Sequence, residues 1–232
     1  MTAGRTLALF VREPEPGAVK TRLAPTLGAE GAALLYGAFL EDLSAKLVGE
    51  GEWEAIAVHD GPVPGPVLKA QFGGRWAFLP QGAGDLGARL SRCFRHLARE
   101  GDGATVVAGS DVPSLSRRAV SGAFDALEGF RGVAFAPPPD GGFSLLGMSW
   151  PVSAGFLEGR IEWSTPAVLA EAVGEARVAG HDARYLPVLP DVDEPKDLDA
   201  LRELLREDPK TAPATARALN ALAGAAGSKD RR

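Results

Sequence analysis

The chain is poor in cysteine and histidine and has no long apolar stretch, and each lack removes a class of protein. Its single cysteine, Cys93, cannot form a disulfide within the chain or build a cysteine-based metal cluster, which suits a reducing compartment. Cys93 falls in a helical pattern between Arg92 and Phe94, where a packed thiol is the simple expectation. The three histidines, His59, His96 and His181, lie far apart with no ligand spacing between them. There is no G-x-S-x-G elbow, which disfavours serine hydrolase chemistry. Lys and Arg number 25 against 30 Asp and Glu, for a net charge of −5. That balance lacks the basic face of a nucleic-acid binder, although a phosphate site needs only a few local cations. The apolar run at the N-terminus, Leu7 to Val11, is shorter than the roughly 7–15 residues of a secretory signal core. No run approaches the ~18 apolar residues of a membrane span. The expectation is a soluble, cytoplasmic protein with no membrane or nucleic-acid partner.

What is present is an α/β pattern. The 232 residues are 45% hydrophobic, and the abundant glycine (29) and proline (18) fall mostly between apolar runs, as turn chemistry requires. Strands are predicted at Thr6–Val11, Ala55–His59, Trp76–Leu79, Ala104–Ala108, Val133–Ala136, Phe143–Met148 and Tyr185–Val188. Helices are predicted at Ala29–Leu47, Pro66–Phe72, Leu86–Arg99, Arg117–Leu127 (capped by Ser116), Thr165–Val173 (capped by Ser164) and Lys196–Leu205. Their alternation implies βαβ units, a mostly parallel sheet and one domain over residues 1–208. Residues 209–232, Ala-rich and then Gly-Ser-Lys-Asp-Arg-Arg, are expected to form a weak, partly flexible helical extension outside the site. In such sheets ligands bind beyond the carboxyl ends of the strands, where this sequence places Asp60, Asp111 and, after a short turn, Asp191 and Asp193.

Five segments can carry chemistry. The loop after the first strand holds Arg12, Lys20 and Arg22 around Gly17. It can cradle phosphate, though no glycine precedes Lys20 as a Walker A motif needs, and composition alone favours a solvated charged loop. Gly82, Gly84 and Gly87 match G-x-G-x-x-G between a strand and a helix. Two strands precede the one that leads into it and Asp85 sits beside the would-be pyrophosphate seat, so a plain glycine turn is favoured over a dinucleotide fold. Asp111 ends a buried strand and is placed either to hold Mg²⁺ or to cap the next turn. Asp140-Gly141-Gly142 reads as a hairpin turn, the second glycine hinting at close backbone approach. Asp191 and Asp193 alternate, so an extended backbone points both the same way, where they repel unless a cation intervenes. Acid preference at a helix start competes, and it suits Glu194 and Asp197 better.

The order of these segments resembles the GT-A-like nucleotide-diphospho-sugar transferase superfamily. It is most similar to the bacterial glycosyltransferase-like family related to 2-phospho-lactate guanylyltransferases. The resemblance rests on Glu15-Pro-Gly-Ala-Val-Lys-Thr-Arg-Leu-Ala-Pro25, Gly84-Asp-Leu-Gly-Ala-Arg89, Gly109-Ser-Asp-Val-Pro113, Asp140-Gly-Gly-Phe143, Trp163-Ser-Thr-Pro166 and Asp191-Val-Asp-Glu-Pro-Lys-Asp-Leu198. Glu194 stands where that family more usually has threonine. The resemblance implies a single-domain, three-layer α/β/α fold with a mostly parallel mixed sheet, and a transferase with a nucleotide or nucleotide-sugar donor and a small-molecule acceptor. It implies catalytic roles for Lys20, Asp111 and Asp193. A divalent cofactor, Mg²⁺ (or Mn²⁺), would be held by Asp111 and Asp193, with Asp191 alongside. Arg12, Lys20, Arg22, Gly84, Asp85 and Gly87 would bind the nucleotide. Asp140, Gly141, Gly142, Trp163, Ser164 and Thr165 would face the second substrate. Transfer of a sugar from an NDP-sugar leads; nucleotidyl transfer from an NTP to a phosphorylated acceptor and a non-catalytic nucleotide-binding module remain alternatives.

Overall fold

The computed structural model describes residues 4–48, 50–98, 103–139 and 141–229. Apolar residues on both sides of each central strand demand cover on both sides, and the chain supplies it with helices. The elements run β1 (Arg5–Val11), α1 (Ala24–Lys46), β2 (Glu54–His59), α2 (Pro66–Phe72), β3 (Ala77–Pro80), α3 (Leu86–Leu97), β4 (Ala104–Gly109), α4 (Arg117–Leu127), β5 (Gly132–Ala136) and β6 (Leu145–Ser149). A 3₁₀ turn (Ala154–Glu158), α5 (Val168–Val178), β7 (Asp182–Tyr185), α6 (Pro195–Glu207) and α7 (Pro213–Lys229) follow. The seven strands form one mixed sheet in the order β3-β2-β1-β4-β6-β5-β7. All pairs are parallel except those made by β6, which runs against β4 and β5.

Strand alternation sorts the core into two layers. Leu7, Leu9 and Val11 of β1 with Val106 and Ala108 of β4 pack under α1, α2, α4, α6 and α7. Ala8 and Val107, one residue out of phase, pack with Val133, Phe135 and Leu146 under α3, the 3₁₀ turn and α5. This is the three-layer α/β/α architecture. Among the described residues no helix is long and apolar enough to cross a membrane.

Several elements differ from their sequence-based expectation. α1 begins at Ala24, ahead of a kink where Gly28 takes φ 74°. α5 begins at Val168 instead of Thr165: Ser164 adopts φ 70° and the Thr165 hydroxyl caps a turn, accepting from the Ala167 N–H at 3.3 Å. β7 covers Asp182–Tyr185, upstream of the expected run, and the chain continues beside β5 through Leu186 N–H to Phe135 O (2.8 Å). α7 packs on α1, with Ala214, Ala218 and Leu219 in the core. Its first turn is held by Asp42, buried in α1, whose carboxylate accepts from the N–H groups of Ala214 (2.9 Å) and Thr215 (2.8 Å) and from the Thr215 hydroxyl (2.7 Å).

Candidate active site

β1 and β4 are neighbours at the centre of the sheet, with Phe10 paired to Gly109, so their carboxyl ends open side by side. The loop after β1 carries Lys20 and Arg22; the turn after β4 carries Ser110 and Asp111. The extended segment from β7 to α6 completes the rim. The Val192 N–H donates to Asp111 O at 2.9 Å, which seats Asp193 next to Asp111. At the head of α6, Asp197 accepts from the N–H groups of Asp193 (3.1 Å) and Glu194 (2.7 Å) and fixes that turn.

A cation joins the acids. The Lys20 ammonium contacts Asp111 Oδ1 and lies 3.5 Å from Asp193 Oδ1, with its side chain 3% exposed against 46% and 41% for the carboxylates. Arg22 approaches from outside, 3.0 Å from Asp193 Oδ2 and 3.7 Å from Glu194 Oε1, and Lys196 pairs with Glu194 at 3.1 Å. Lys20 takes φ 48°, a left-handed backbone that non-glycine residues enter at a cost, as happens at functional sites whose surroundings over-determine them.

Tyr36 of α1 braces this corner. Its hydroxyl accepts from the Arg12 N–H at 3.1 Å and lies 2.7 Å from Ser110 Oγ. Burial, and then the negative charge of Asp111, push its ionisation far above the ordinary tyrosine value. The phenol therefore keeps its proton in its hydrogen bond with Ser110; it is no general base. Burial also pushes the Cys93 thiol up to about 12, as a packed cysteine requires.

Lys20, Arg22, Tyr36, Ser110, Asp111 and Asp193 line one side of an open cleft of about 810 Å³. Gln81, Gly84, Asp85 and Arg89 line the other side, and Phe143, Ser144 and Ser164 contribute to it as well. Gln81 is buried: its amide donates to the carbonyls of Val11 (3.3 Å) and Val58 (3.0 Å) and accepts from Arg89 (3.1 Å). Arg89 also donates to Gly84 O (2.9 Å), while Arg92 donates to Gln81 O (2.6 Å) and Ala83 O (2.9 Å). Two arginines of α3 thus strap a loop whose Gly82 and Gly84 have φ of 74° and 107°. Asp85 spends one oxygen on the Ala88 N–H (2.9 Å) as the N-cap of α3.

The structure brings together Arg12, Lys20, Arg22, Gly84, Asp85, Asp111, Asp193 and Ser164 of the residues singled out from sequence. Gly87 stands apart: it is buried, and a Cβ there would lie 2.2 Å from Leu157 O and 2.8 Å from Trp163 Nε1. Its missing side chain lets Trp163 and the 3₁₀ turn pack on α3, and Trp163 in turn sits edge-on to Phe143 with centroids 6.2 Å apart. Thr165 serves its own turn, and Gly141 presses against Pro166, where a Cβ would come within 2.2 Å of the carbonyl. Gly142 follows Gly141 in the same segment; Asp140 lies outside the described residues. Asp191, partly buried, is two residues before Asp193 and does not line the cleft. Among the described residues no three His, Cys, Asp or Glu side chains converge as a metal cage. Tyr36, Gln81 and Arg89 were not foreseen as site residues. Arg89 ends the Gly84–Arg89 block, and its place one turn into α3 was the available signal.

No curated protein matches the sequence. Among solved structures, a protein of Desulfovibrio desulfuricans G20, provisionally described as a nucleotide-diphospho-sugar transferase, is 28% identical with a TM-score of 0.84, over 94% of this chain and 96% of that one. A nucleotidyl transferase of Methanothermobacter thermautotroptrophicus is 18% identical, with a TM-score of 0.57 over 88% and 99% of the two chains. A 4-diphosphocytidyl-2C-methyl-D-erythritol synthase of Anaerococcus prevotii is 9% identical, with a TM-score of 0.56 over 88% and 98%. The fold is that of the GT-A-like nucleotide-diphospho-sugar transferases. Residues 43–165, which hold the glycine loop and Asp111, match a family model, and the chain belongs to the family described as an uncharacterized protein conserved in bacteria (DUF2064).

Proposed function

We propose that the protein is a transferase that uses an activated nucleotide, held in the cleft between the β1 loop and the carboxylates of Asp111 and Asp193. One observation carries this reading: acids from two distant segments converge on the Lys20 ammonium of a third, with Arg22 beside it. The fold shared with the Desulfovibrio protein supports it. Asp111 and Asp193 flank one ammonium, which makes them the residues that would hold a metal ion, and their half-exposed carboxylates leave room for phosphate oxygens. That donor set suits Mg²⁺ or Mn²⁺, since Mg²⁺ takes one or two carboxylates and fills its shell with phosphate and water. When bound, the ion would neutralise charge growing on the leaving phosphate.

The chain's own residues do the rest. Lys20 and Arg22 set fixed positive charge opposite the acids, where a diphosphate leaving group gains charge-assisted hydrogen bonds. Arg89 and the strapped glycine loop shape the wall for base and ribose. Tyr36, protonated throughout, holds Ser110 and the β1 loop in register. Phe143, Ser144 and Ser164 bring no charge to the cleft, which favours a neutral acceptor and hence sugar transfer from an NDP-sugar. A second reading, nucleotidyl transfer from an NTP to a phosphorylated acceptor, draws support from Arg12, an exposed cation lining both this cleft and a recess of about 280 Å³ alongside. Either activity belongs in the cytoplasm, where both donors are made.

A thermal-shift screen of NTPs and NDP-sugars, with and without Mg²⁺, tests the reading. Ligand at 100 times its Kd adds about 2.7 kcal/mol of stability. The expected result is a Mg²⁺-dependent rise with an NDP-sugar and NDP release on turnover. Pyrophosphate release from an NTP would select the second reading. Stabilisation indifferent to Mg²⁺, with no turnover of any donor, would leave a nucleotide-binding module.

A further inference from the structure

Lys20 is more buried than either of its partners, 3% exposed against 46% for Asp111 and 41% for Asp193. A desolvated ammonium without counter-charge is costly, and two facing carboxylates without a cation between them repel. Each side therefore needs the other in the ligand-free protein. The backbone at Lys20 is left-handed, with φ 48°. The acids are held from behind by the Val192–Asp111 hydrogen bond and by Asp197, so their spacing does not depend on the ammonium alone. Arg22 is placed differently, 62% exposed and on the outer oxygen of Asp193.

Resting on the function proposed above, we propose that Lys20 is an internal stand-in for the divalent cation. In the ligand-free protein its ammonium fills the gap between Asp111 and Asp193 and keeps metal out. A nucleotide phosphate offers the ammonium another anionic partner of charge-assisted strength and draws it off the acids. The carboxylates are then free for metal. A metal ion arriving alone meets a like charge a few ångströms away in a partly desolvated gap, where Coulomb repulsion is much stronger than in bulk water. Nucleotide and metal consequently bind with positive coupling, each favouring the other. Lys20 is a positioning residue in this respect, gating the carboxylates as well as meeting phosphate.

The test uses Mn²⁺ alone, with free ion followed by electron paramagnetic resonance during titration of wild type, Lys20→Met, Lys20→Arg and Asp111→Asn. Lys20→Met should bind Mn²⁺ about tenfold more tightly than wild type, and Lys20→Arg, which keeps the charge, should stay within about threefold of wild type. Asp111→Asn should lose the site. If Lys20→Met does not fold without metal, recovery of its circular dichroism and melting transition on adding Mn²⁺ is the expected outcome, and no recovery overturns the stand-in role. Equal Mn²⁺ affinity in wild type and Lys20→Met, still abolished by Asp111→Asn, overturns the stand-in role while the metal-dependent transferase stands. Mn²⁺ binding to neither protein, with or without an added nucleoside triphosphate, overturns both.

Discussion

Among the described residues two lysines, Lys20 and Lys46, withdraw from solvent, and their surroundings differ. Lys20 points from a strained loop into a gap between two half-exposed carboxylates at the mouth of a cleft. Lys46 ends α1 on the same side of the sheet and donates to two backbone carbonyls, Pro113 O at 2.5 Å and Thr211 O at 3.0 Å. It ties α1 to the turn after β4 and to the approach to α7. Burial lowers its pKa to about 8, only partly offset by Asp42, whose oxygens are spent on the first turn of α7. A structural cation is satisfied by neutral acceptors and faces nothing that can leave. A cation at a site is satisfied by acids that also face open space, where a ligand can compete for them.

Variants can break this contrast. The largest effect is expected at Asp111→Asn, which should weaken Mg²⁺-dependent nucleotide binding by roughly 100-fold, the size set by losing a charged ligand of metal and ammonium. Circular dichroism should be unchanged, and retained affinity by calorimetry would take Asp111 out of the site. Next, Lys20→Ala should weaken nucleotide binding by about tenfold, as loss of a charge-assisted hydrogen bond worth ~1.5–3 kcal/mol requires. Wild-type affinity there would return the β1 loop to a merely solvated role. The smallest effect belongs to Lys46. Its folded pKa, about 8, lies below the ordinary 10.5, so between those values the unfolded chain binds more protons and stability rises with pH. Urea unfolding at pH 8 and pH 10 should show wild type gaining about 1 kcal/mol relative to Lys46→Met, a size discounted for the partial exposure of Lys46, while the raised Cys93 and Tyr36 ionisations cost both proteins alike. Nucleotide affinity in Lys46→Met should match wild type; a loss would make the two lysines parts of one device.

Much of this was legible before the structure. The spans of α2 and α4 and the Ser116 cap follow directly from periodicity and capping chemistry, with the Ser116 hydroxyl accepting from the Ala119 N–H at 3.2 Å. The approach of the β1 loop to Asp111 and Asp193 follows from strand order in a parallel sheet. Local rules failed where a residue's job was set from far away. Ser164-Thr165-Pro166 has the look of a helix start, but Gly141 packs against Pro166 and its carbonyl takes the Leu169 N–H at 3.0 Å, so the helix begins one turn later. Gly87 fits a ligand-loop pattern, yet the ring it admits belongs to Trp163, distant in sequence. The Ala-rich end reads as a weak helix on propensity alone, and becomes a packed one because Asp42 caps it. Arg89 is indistinguishable in sequence from a solvent-facing helix arginine until Gln81 and Gly84 are placed beside it.

The ion pair between Arg22 and Asp193 closes a loop of 171 residues. Contacts of such long range form late, since the chain must surrender the freedom of everything between before they return any stabilisation. During synthesis, β1 to β4 can assemble with the acid of β4 in place while the acid that completes the pair has yet to leave the ribosome. A partly made chain therefore has Asp111 without Asp193 beside it, and the docking of α6 completes the pair.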